Sequence, residues 1–156
     1  MRIGQGIDVH RFSDDENREL RLGLVRLDGE IGLVGHSDAD VVTHALMDAL
    51  LGAANLGDIG RHFPDNDVEF AGIASRDMLI EVVRRVAVAG FRPMSADVTI
   101  IAERPKMRPF MPAMSEELSA AVGCVVSVKA TTVEGLGALG RGEGIAAMAV
   151  ALLEEF

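Results

Sequence analysis

The tripeptide DVH at residues 8–10 places a carboxylate and an imidazole two positions apart, and GHSDADVVTHALMDALL at residues 35–51 adds two more imidazoles, His36 and His44. If residues 8–10 are extended, Asp8 and His10 point to one face of the strand, because side chains alternate with period two. In the second stretch His36, Asp40, His44 and Asp48 recur every four residues, so those inside a helix stack on one face, with His36 just before its start. A helix packed on that strand would bring an imidazole to Asp8 and His10. Two imidazoles and a carboxylate leave the fourth position of a tetrahedral zinc open, which is the pattern of a catalytic metal site. Asp48, one turn beyond His44, is expected to orient that ring by accepting its other N–H. Spacing alone leaves open which later histidine completes the set. It also allows each residue to act alone, Asp8 as a strand-end acceptor and His10 and His44 as hydrogen-bonded interior groups.

A second candidate is GLGALG at residues 135–140, which matches GxGxxG after a β-rich run. A dinucleotide fingerprint must open a βαβ unit of about thirty residues with an acidic ribose ligand about twenty residues further on. Only sixteen residues follow Gly140, so that reading fails. No Gly-Lys-Ser/Thr follows, so it is not a P-loop either. What remains is a backbone-exposing loop with Arg141 as its cation, preceded by Lys129, Thr131, Thr132 and Glu134. It reads either as a plain surface loop or as an anion cradle, with threonine hydroxyls and N–H groups facing phosphate and Glu134 holding a hard cation.

The elements that must carry these groups are legible in outline. RIGQGIDVH reads as a first strand, and LRLGLVRL with IGLV as a hairpin around Asp28-Gly29. Apolar residues at helical spacing from Val41 to Ala53 predict a helix over about 38–55, closed by Asn55 and Gly57. Residues 56–72 read as a loop containing Pro64. A second helix is predicted over 75–89, with Ser75 as N-cap and Gly90 at its C-terminal end. DVTIIAE is β-rich, MPAMSEELSAAVG helical, and VVSVKATTV β-rich again. The C-terminal GIAAMAVALLEEF is ambiguous, since its Ala, Met and Leu favour helix while a buried strand also fits so short an apolar run. Alternating strands and helices predict an α/β or α+β chain, a single domain over residues 1–156.

Composition narrows the function. A formal charge of −9 and 4% aromatic residues disfavour nucleic acid, which needs clustered cations and stacking platforms. No apolar run is long enough to span a bilayer, and MRIGQGIDVHRF lacks the order of a secretory signal. The lone Cys124 has no internal disulfide partner, so a reducing, cytoplasmic setting is expected. An acidic protein that binds a small phosphorylated anion must offset its own field with local cations or N–H groups.

Four blocks, GQGIDVHRF, GHSDADVVTHALMDALLGAANLGDIGRHFPD, DVTIIAERPKM and VKATTVEGLG followed by GRGEGIA, stand in this order along the chain. Together they resemble the 2-C-methyl-D-erythritol 2,4-cyclodiphosphate synthase family over essentially the whole length. The resemblance implies a mixed sheet covered by helices on one face, ferredoxin-like βαβ units, and a C-terminal strand. It implies cyclisation of 4-diphosphocytidyl-2-C-methyl-D-erythritol 2-phosphate, whose 2-phosphate attacks the β-phosphorus and releases CMP, a step of the non-mevalonate isoprenoid route. The family's zinc ligands fall on Asp8, His10 and His44, and its transition-state stabilisers on His36 and Thr132. Glu134 matches the ligand of a Mg²⁺ or Mn²⁺ ion bridging the CDP phosphates. Ala102, Lys106, Met107, Arg108, Thr131 and Thr132 would frame cytosine. Asp58, Ile59 and Gly60 would meet the ribose, and Ser37 with the Phe63, Asp65 and Asp67 loop would hold the methylerythritol part. Arg141 would face an anion, beside Glu143. The family is a homotrimer with sites between adjacent subunits.

Two positions depart from the family's pattern: Ala138 stands where an aromatic residue is frequent, and Val133 where threonine is common. Two other functions are compatible with parts of the site. A non-catalytic nucleotide-binding module would not require His36, Thr132 and Glu134 together. A zinc phosphohydrolase would need a general base, for which Asp48 or Asp40 could be proposed.

Overall fold

The computed structural model describes residues 1–64 and 72–156. The chain runs β1 (Arg2–Arg11), β2 (Glu19–Leu22), β3 (Val25–Ile31), α1 (Val41–Ala53), α2 (Ile59–His62), α3 (Ser75–Val88), β4 (Phe91–Ile101), α4 (Met111–Val122), β5 (Val125–Thr131), α5 (Gly137–Gly140) and β6 (Gly144–Glu155). Four strands form a mixed sheet in the order β1-β6-β4-β5, and β2-β3 is a separate hairpin. Among the described residues β4–β5 is the one hydrogen-bonded pair that is parallel; α4 crosses between these strands, giving a βαβ unit. Among the described residues no helix is long and apolar enough to cross a membrane.

The two sheet faces differ in side-chain size. Register places Gly4, Ala151, Ala96 and Val126 in one row across the strands, and Gly6, Ala149, Val98 and Val128 in the next. These small and β-branched residues face the helices. The opposite face carries Ile3, Ile7, Val9, Met148 and Val150, all exposed in the single chain. The reason for the small residues is α1. A Cβ built on Gly4 would lie 2.0 Å from the carbonyl oxygen of Ala49, and one on Gly6 would lie 2.0 Å from that of Ala45. The helix backbone therefore rests directly on the strand backbone, with alanines filling the seam. All of α1 except Asp48 and Gly52 is buried, between the sheet, α3 and the hairpin.

Several local expectations change. The C-terminal run is β6, a strand bonded to β1 on one side and β4 on the other, as the family resemblance implied and helix propensity did not. Its alternate residues Ala147, Ala149, Ala151 and Leu153 are at most 1% exposed beneath the helices, so burial on a period of two overrides the propensity of alanine. The hairpin turns at Gly23 and Leu24, with φ of 56° and 67°, and not at Asp28-Gly29. Asp28 to Glu30 instead bulge out, as pairing skips from Glu19↔Ile31 to Leu20↔Leu27. The turn closes at Gly23-Leu24 because Asp40 accepts both of its N–H groups, at 2.8 Å each. The same carboxylate caps α1 through Thr43 N, so the helix starts at Val41 and not at 38. Residues 56–72 contain α2, a short turn capped by Asp58, and α5 occupies the glycine cluster. Ser75 is the first residue of α3 and makes no cap bond; Ala74 is the N-cap and the Ser75 hydroxyl points elsewhere.

Replacing Gly6 with alanine should lower stability by about 3 kcal/mol, because the clash is with backbone and cannot be relieved by a rotamer change. Gly52→Ala, with only Gln5 O within reach at 3.9 Å, should instead raise it by about 0.5–1 kcal/mol. Urea unfolding of both variants checks the pair; equal shifts would contradict the backbone contact.

Candidate functional site: a metal centre at the strand–helix seam

Asp8 and His10 lie on the helix side of β1, and the close approach of α1 carries His44 to them. Asp8 Oδ2 is 2.9 Å from His10 Nε2 and 3.1 Å from His44 Nδ1. The two rings stand edge to face, centroids 5.7 Å apart. One ligand atom from each residue lies within 4.8 Å of the others, so the three can share one ion.

Proton placement on the rings follows from their outer partners. His10 Nδ1 is 2.6 Å from the carbonyl oxygen of Val34. A carbonyl only accepts, so this nitrogen carries the hydrogen and the neutral ring turns a bare Nε2 towards Asp8. His44 Nε2 is 3.1 Å from Ser75 Oγ, which lies 2.5 Å from Asp38 Oδ1. Asp38 accepts from the Ser75 hydroxyl through Oδ1 and from Ser75 N through Oδ2 at 3.1 Å. The single serine proton therefore goes to Asp38, and Ser75 Oγ accepts from His44 Nε2–H, leaving Nδ1 bare. Two lone pairs and a carboxylate converge, an arrangement that needs a cation or extra protons. Burial pushes the Asp8 carboxyl up, but hydrogen bonds and charge from His10 and His44 outweigh it and hold it well below the usual carboxylate range. The Asp8 hydrogen bond, opposed by burial, raises His10 above its ordinary 6.5. One ionised oxygen and two imidazoles fit zinc, which is the ion these residues are suited to hold.

Asp48 does not orient His44. Asp48 Oδ1 accepts from Ile59 N at 2.8 Å and so anchors α2. The place beside His44 Nε2 belongs to Ser75, with Ser37 Oγ at 3.4 Å. Burial, the leading cause, raises the Asp48 carboxyl. Asp40 is fully buried and accepts from Gly23 N, Leu24 N, Thr43 N and the Thr43 hydroxyl. It is thus a structural cap and no base for a hydrolytic water.

The cluster opens on a cavity of about 380 Å³. His36, Ser37, Ile59, Gly60 and Phe63 line it together with the three ligands, so these sequence-identified residues do come together. Asp58 lies beside this group and accepts from Arg61 N at 3.0 Å, as the cap of α2. Asp65 and Asp67 lie outside the described residues. The 33–37 segment is pinned by Arg18, whose guanidinium donates to the carbonyls of Leu33, Gly35 (3.0 Å) and Ser37 (2.8 Å). Nothing in the polar run around Arg18 marked it. The serine following Gly72-Ile73-Ala74 likewise read only as a cap.

The second predicted group sits elsewhere. Ala102 and Thr131 are joined by an N–H···O bond of 3.0 Å at the ends of β4 and β5. Met107 is buried, while Lys106 and Arg108 are exposed beside them. Glu134 has φ 53°, in the left-handed region, a conformation that costs a non-glycine residue about 1 kcal/mol and concentrates at functional sites. Glu134 N is 3.3 Å from Thr132 Oγ1, and Glu103 braces the loop by accepting from Val133 N and Gly135 N at 3.1 and 3.3 Å. Arg141 is paired with Glu143 at 2.6 Å. Register puts His10 level with Ile145, and Ala146 level with Ile101 and Thr131. The two groups therefore occupy the same end of the sheet but opposite edges, three strand spacings or about 14 Å apart.

Removing the Ser75 hydroxyl frees the His44 ring from its fixed tautomer. Ser75→Ala should weaken zinc binding about 10- to 100-fold without unfolding the chain, as measured by competition with a chromophoric chelator. An unchanged zinc affinity would contradict the proton placement above.

The YgbB family model matches residues 1–154. The 2-C-methyl-D-erythritol 2,4-cyclodiphosphate synthase of Symbiobacterium thermophilum is 55% identical over 156 residues, covering 98% of each chain. A solved 2C-methyl-D-erythritol-2,4-cyclodiphosphate synthase in its CDP-bound form superposes with a TM-score of 0.88 at 36% identity, covering 98% of this chain and 100% of that one. The bifunctional IspDF of Campylobacter jejuni gives 0.93 at 40% identity, with 99% of this chain spanning 42% of that longer protein. Both the strand–helix metal cluster and the extent of these matches lead to one assignment: this chain belongs to the YgbB family, whose relatives here are named 2-C-methyl-D-erythritol 2,4-cyclodiphosphate synthases.

Proposed function

We propose that this protein converts 4-diphosphocytidyl-2-C-methyl-D-erythritol 2-phosphate into 2-C-methyl-D-erythritol 2,4-cyclodiphosphate and CMP, as a phosphorus–oxygen lyase of non-mevalonate isoprenoid synthesis. The observation that carries this reading is the Asp8–His10–His44 cluster opening on the cavity that His36 also lines. The oxygen of the 2-phosphate attacks the β-phosphorus, a new P–O–P bond forms, and the bond to the CMP phosphate breaks, so CMP leaves with the bridging oxygen. Both partners are anions inside a chain of charge −9, so their approach must be neutralised and oriented. Bound zinc supplies Lewis-acid charge neutralisation at the phosphate. Asp8, His10 and His44 hold it, and Ser75 and Val34 keep both rings in the ligating tautomer. His36, held on the loop pinned by Arg18, stabilises charge on the reacting phosphates from the cavity wall. Ser37, Ile59, Gly60 and Phe63 receive the polyol and ribose end.

Thr132 and Glu134 would complete the chemistry, the latter as the residue that would hold Mg²⁺ or Mn²⁺ to neutralise diphosphate charge, while Ala102, Lys106, Met107, Arg108 and Thr131 would frame cytosine and Arg141 would face an anion. The roughly 14 Å between the two groups within one chain favours a site assembled from two chains. The uncovered apolar sheet face, with Ile3, Ile7, Val9, Met148 and Val150, supports the homotrimer that would do so. The protein acts in the cytoplasm. The two carboxylates a hydrolytic alternative would draw on are engaged elsewhere, Asp40 as a cap and Asp48 as the anchor of α2.

Phosphorus NMR with the proposed substrate should show the cyclic diphosphate and CMP; linear phosphates or no turnover would overturn the reading. His44→Ala should lose bound zinc, whereas His36→Ala should keep zinc and lose rate by about a hundredfold or more. Equal zinc loss in the two variants would contradict this division of roles.

A further inference from the structure

One charged cluster outside the metal site touches the cavity wall from behind. Arg85 projects from α3 beneath α2. Its Nη1 lies 2.5 Å from His62 Nδ1, its Nε donates to Glu81 Oε1 at 2.7 Å, and its guanidinium carbon sits 5.3 Å from the centre of the Phe63 ring. His62 Nε2 is 2.8 Å from the carbonyl oxygen of Leu56. That nitrogen must carry the ring hydrogen, so Nδ1 of the neutral ring accepts from Arg85. Phe63 is only 6% exposed and lines the same cavity as the zinc ligands, directly after the last residue of α2.

We propose that Arg85 is a positioning residue for the reaction, clamping the C-terminal end of α2 so that Phe63 forms a fixed wall for the polyol end of the substrate. This role for Arg85 rests on the cyclisation proposed above. A four-residue helix cannot hold itself, because each end leaves its backbone groups unpaired and too few bonds lie between. Here the N-terminal end is fixed by Asp58 and Asp48, which accept from Arg61 N and Ile59 N. Among the described residues, the far end is held by the His62 ring, which bonds Arg85 and the Leu56 carbonyl, and by Phe63, which packs into the core with the Arg85 guanidinium against its ring. Arginine suits the task because its edges bond His62 and Glu81 while its flat face covers Phe63. Glu81, on the same helix, holds the Arg85 guanidinium in place and shares its carboxylate with Arg84. Arg85 does not line the cavity, so its effect must pass through α2 and Phe63.

The test compares Arg85→Ala and Arg85→Lys with the wild-type zinc-loaded protein. Arg85→Ala should raise KM about tenfold or more while kcat stays within about twofold and zinc content is unchanged. Arg85→Lys should fall between, since an ammonium bonds one partner but has no flat face. Amide hydrogen exchange at residues 59–63 should speed up about tenfold in Arg85→Ala, with the sheet unaffected. His62→Ala on top of Arg85→Ala should add less than about twofold, because both act through one contact. A wild-type KM with wild-type exchange at those amides overturns the proposal, as does a fall in kcat with KM unchanged. Absence of turnover in the wild type would instead overturn the functional reading, and the exchange result still decides whether the clamp exists.

Discussion

Backbone contact between α1 and β1 is the constraint on which the metal cluster depends. A helix normally stands about 10 Å from the sheet it covers, held off by side chains; here Gly4 and Gly6 remove them, and carbonyls of Ala45 and Ala49 occupy the space where a Cβ would be. His44 precedes Ala45 by one residue and Asp8 follows Gly6 by two, so the closest part of the seam is also where the ligands meet. The alanines of β6 extend the same logic one strand further. Packing and coordination are thus one decision of the chain.

Around that seam the polar groups are tied into place, mostly by partners that lie far away in sequence. Asp40 serves the hairpin turn and the start of α1 at once, and Arg18 gathers three carbonyls of the loop that carries His36. Among the described residues no buried side-chain nitrogen or oxygen lacks a partner. Such full satisfaction matters near a metal, because a ring free to flip its tautomer presents a hydrogen where a lone pair is needed. Val34 and the Asp38–Ser75 pair prevent this for His10 and His44 respectively.

Period-two and period-four spacing sufficed to place Asp8, His10 and His44 on facing surfaces, and apolar periodicity found α1 and α3 within a few residues. Contact between those surfaces was not written in the spacing, since the glycines that permit it look locally like weak strand residues. The choice of His44 over His36 came from family resemblance and is explained by position: His36 precedes the helix and belongs to the cavity wall. The turn at Gly23-Leu24 escaped because its stabiliser, Asp40, lies seventeen residues ahead. Helical spacing points Asp48 at His44, but a carboxylate on that face can equally turn to a backbone N–H, and Ile59 offers one. The C-terminal strand ran against propensity because tertiary burial between two partner strands outweighs an intrinsic preference of tenths of a kcal/mol per residue.

The central claim is that the seam gathers one carboxylate and two bare imidazole nitrogens around a single zinc ion. Anomalous diffraction at the zinc absorption edge tests it most directly. The account predicts one strong peak per chain within about 2.0–2.3 Å of an Asp8 oxygen, His10 Nε2 and His44 Nδ1. A peak held by other side chains, or none between these three in zinc-loaded crystals, would contradict it.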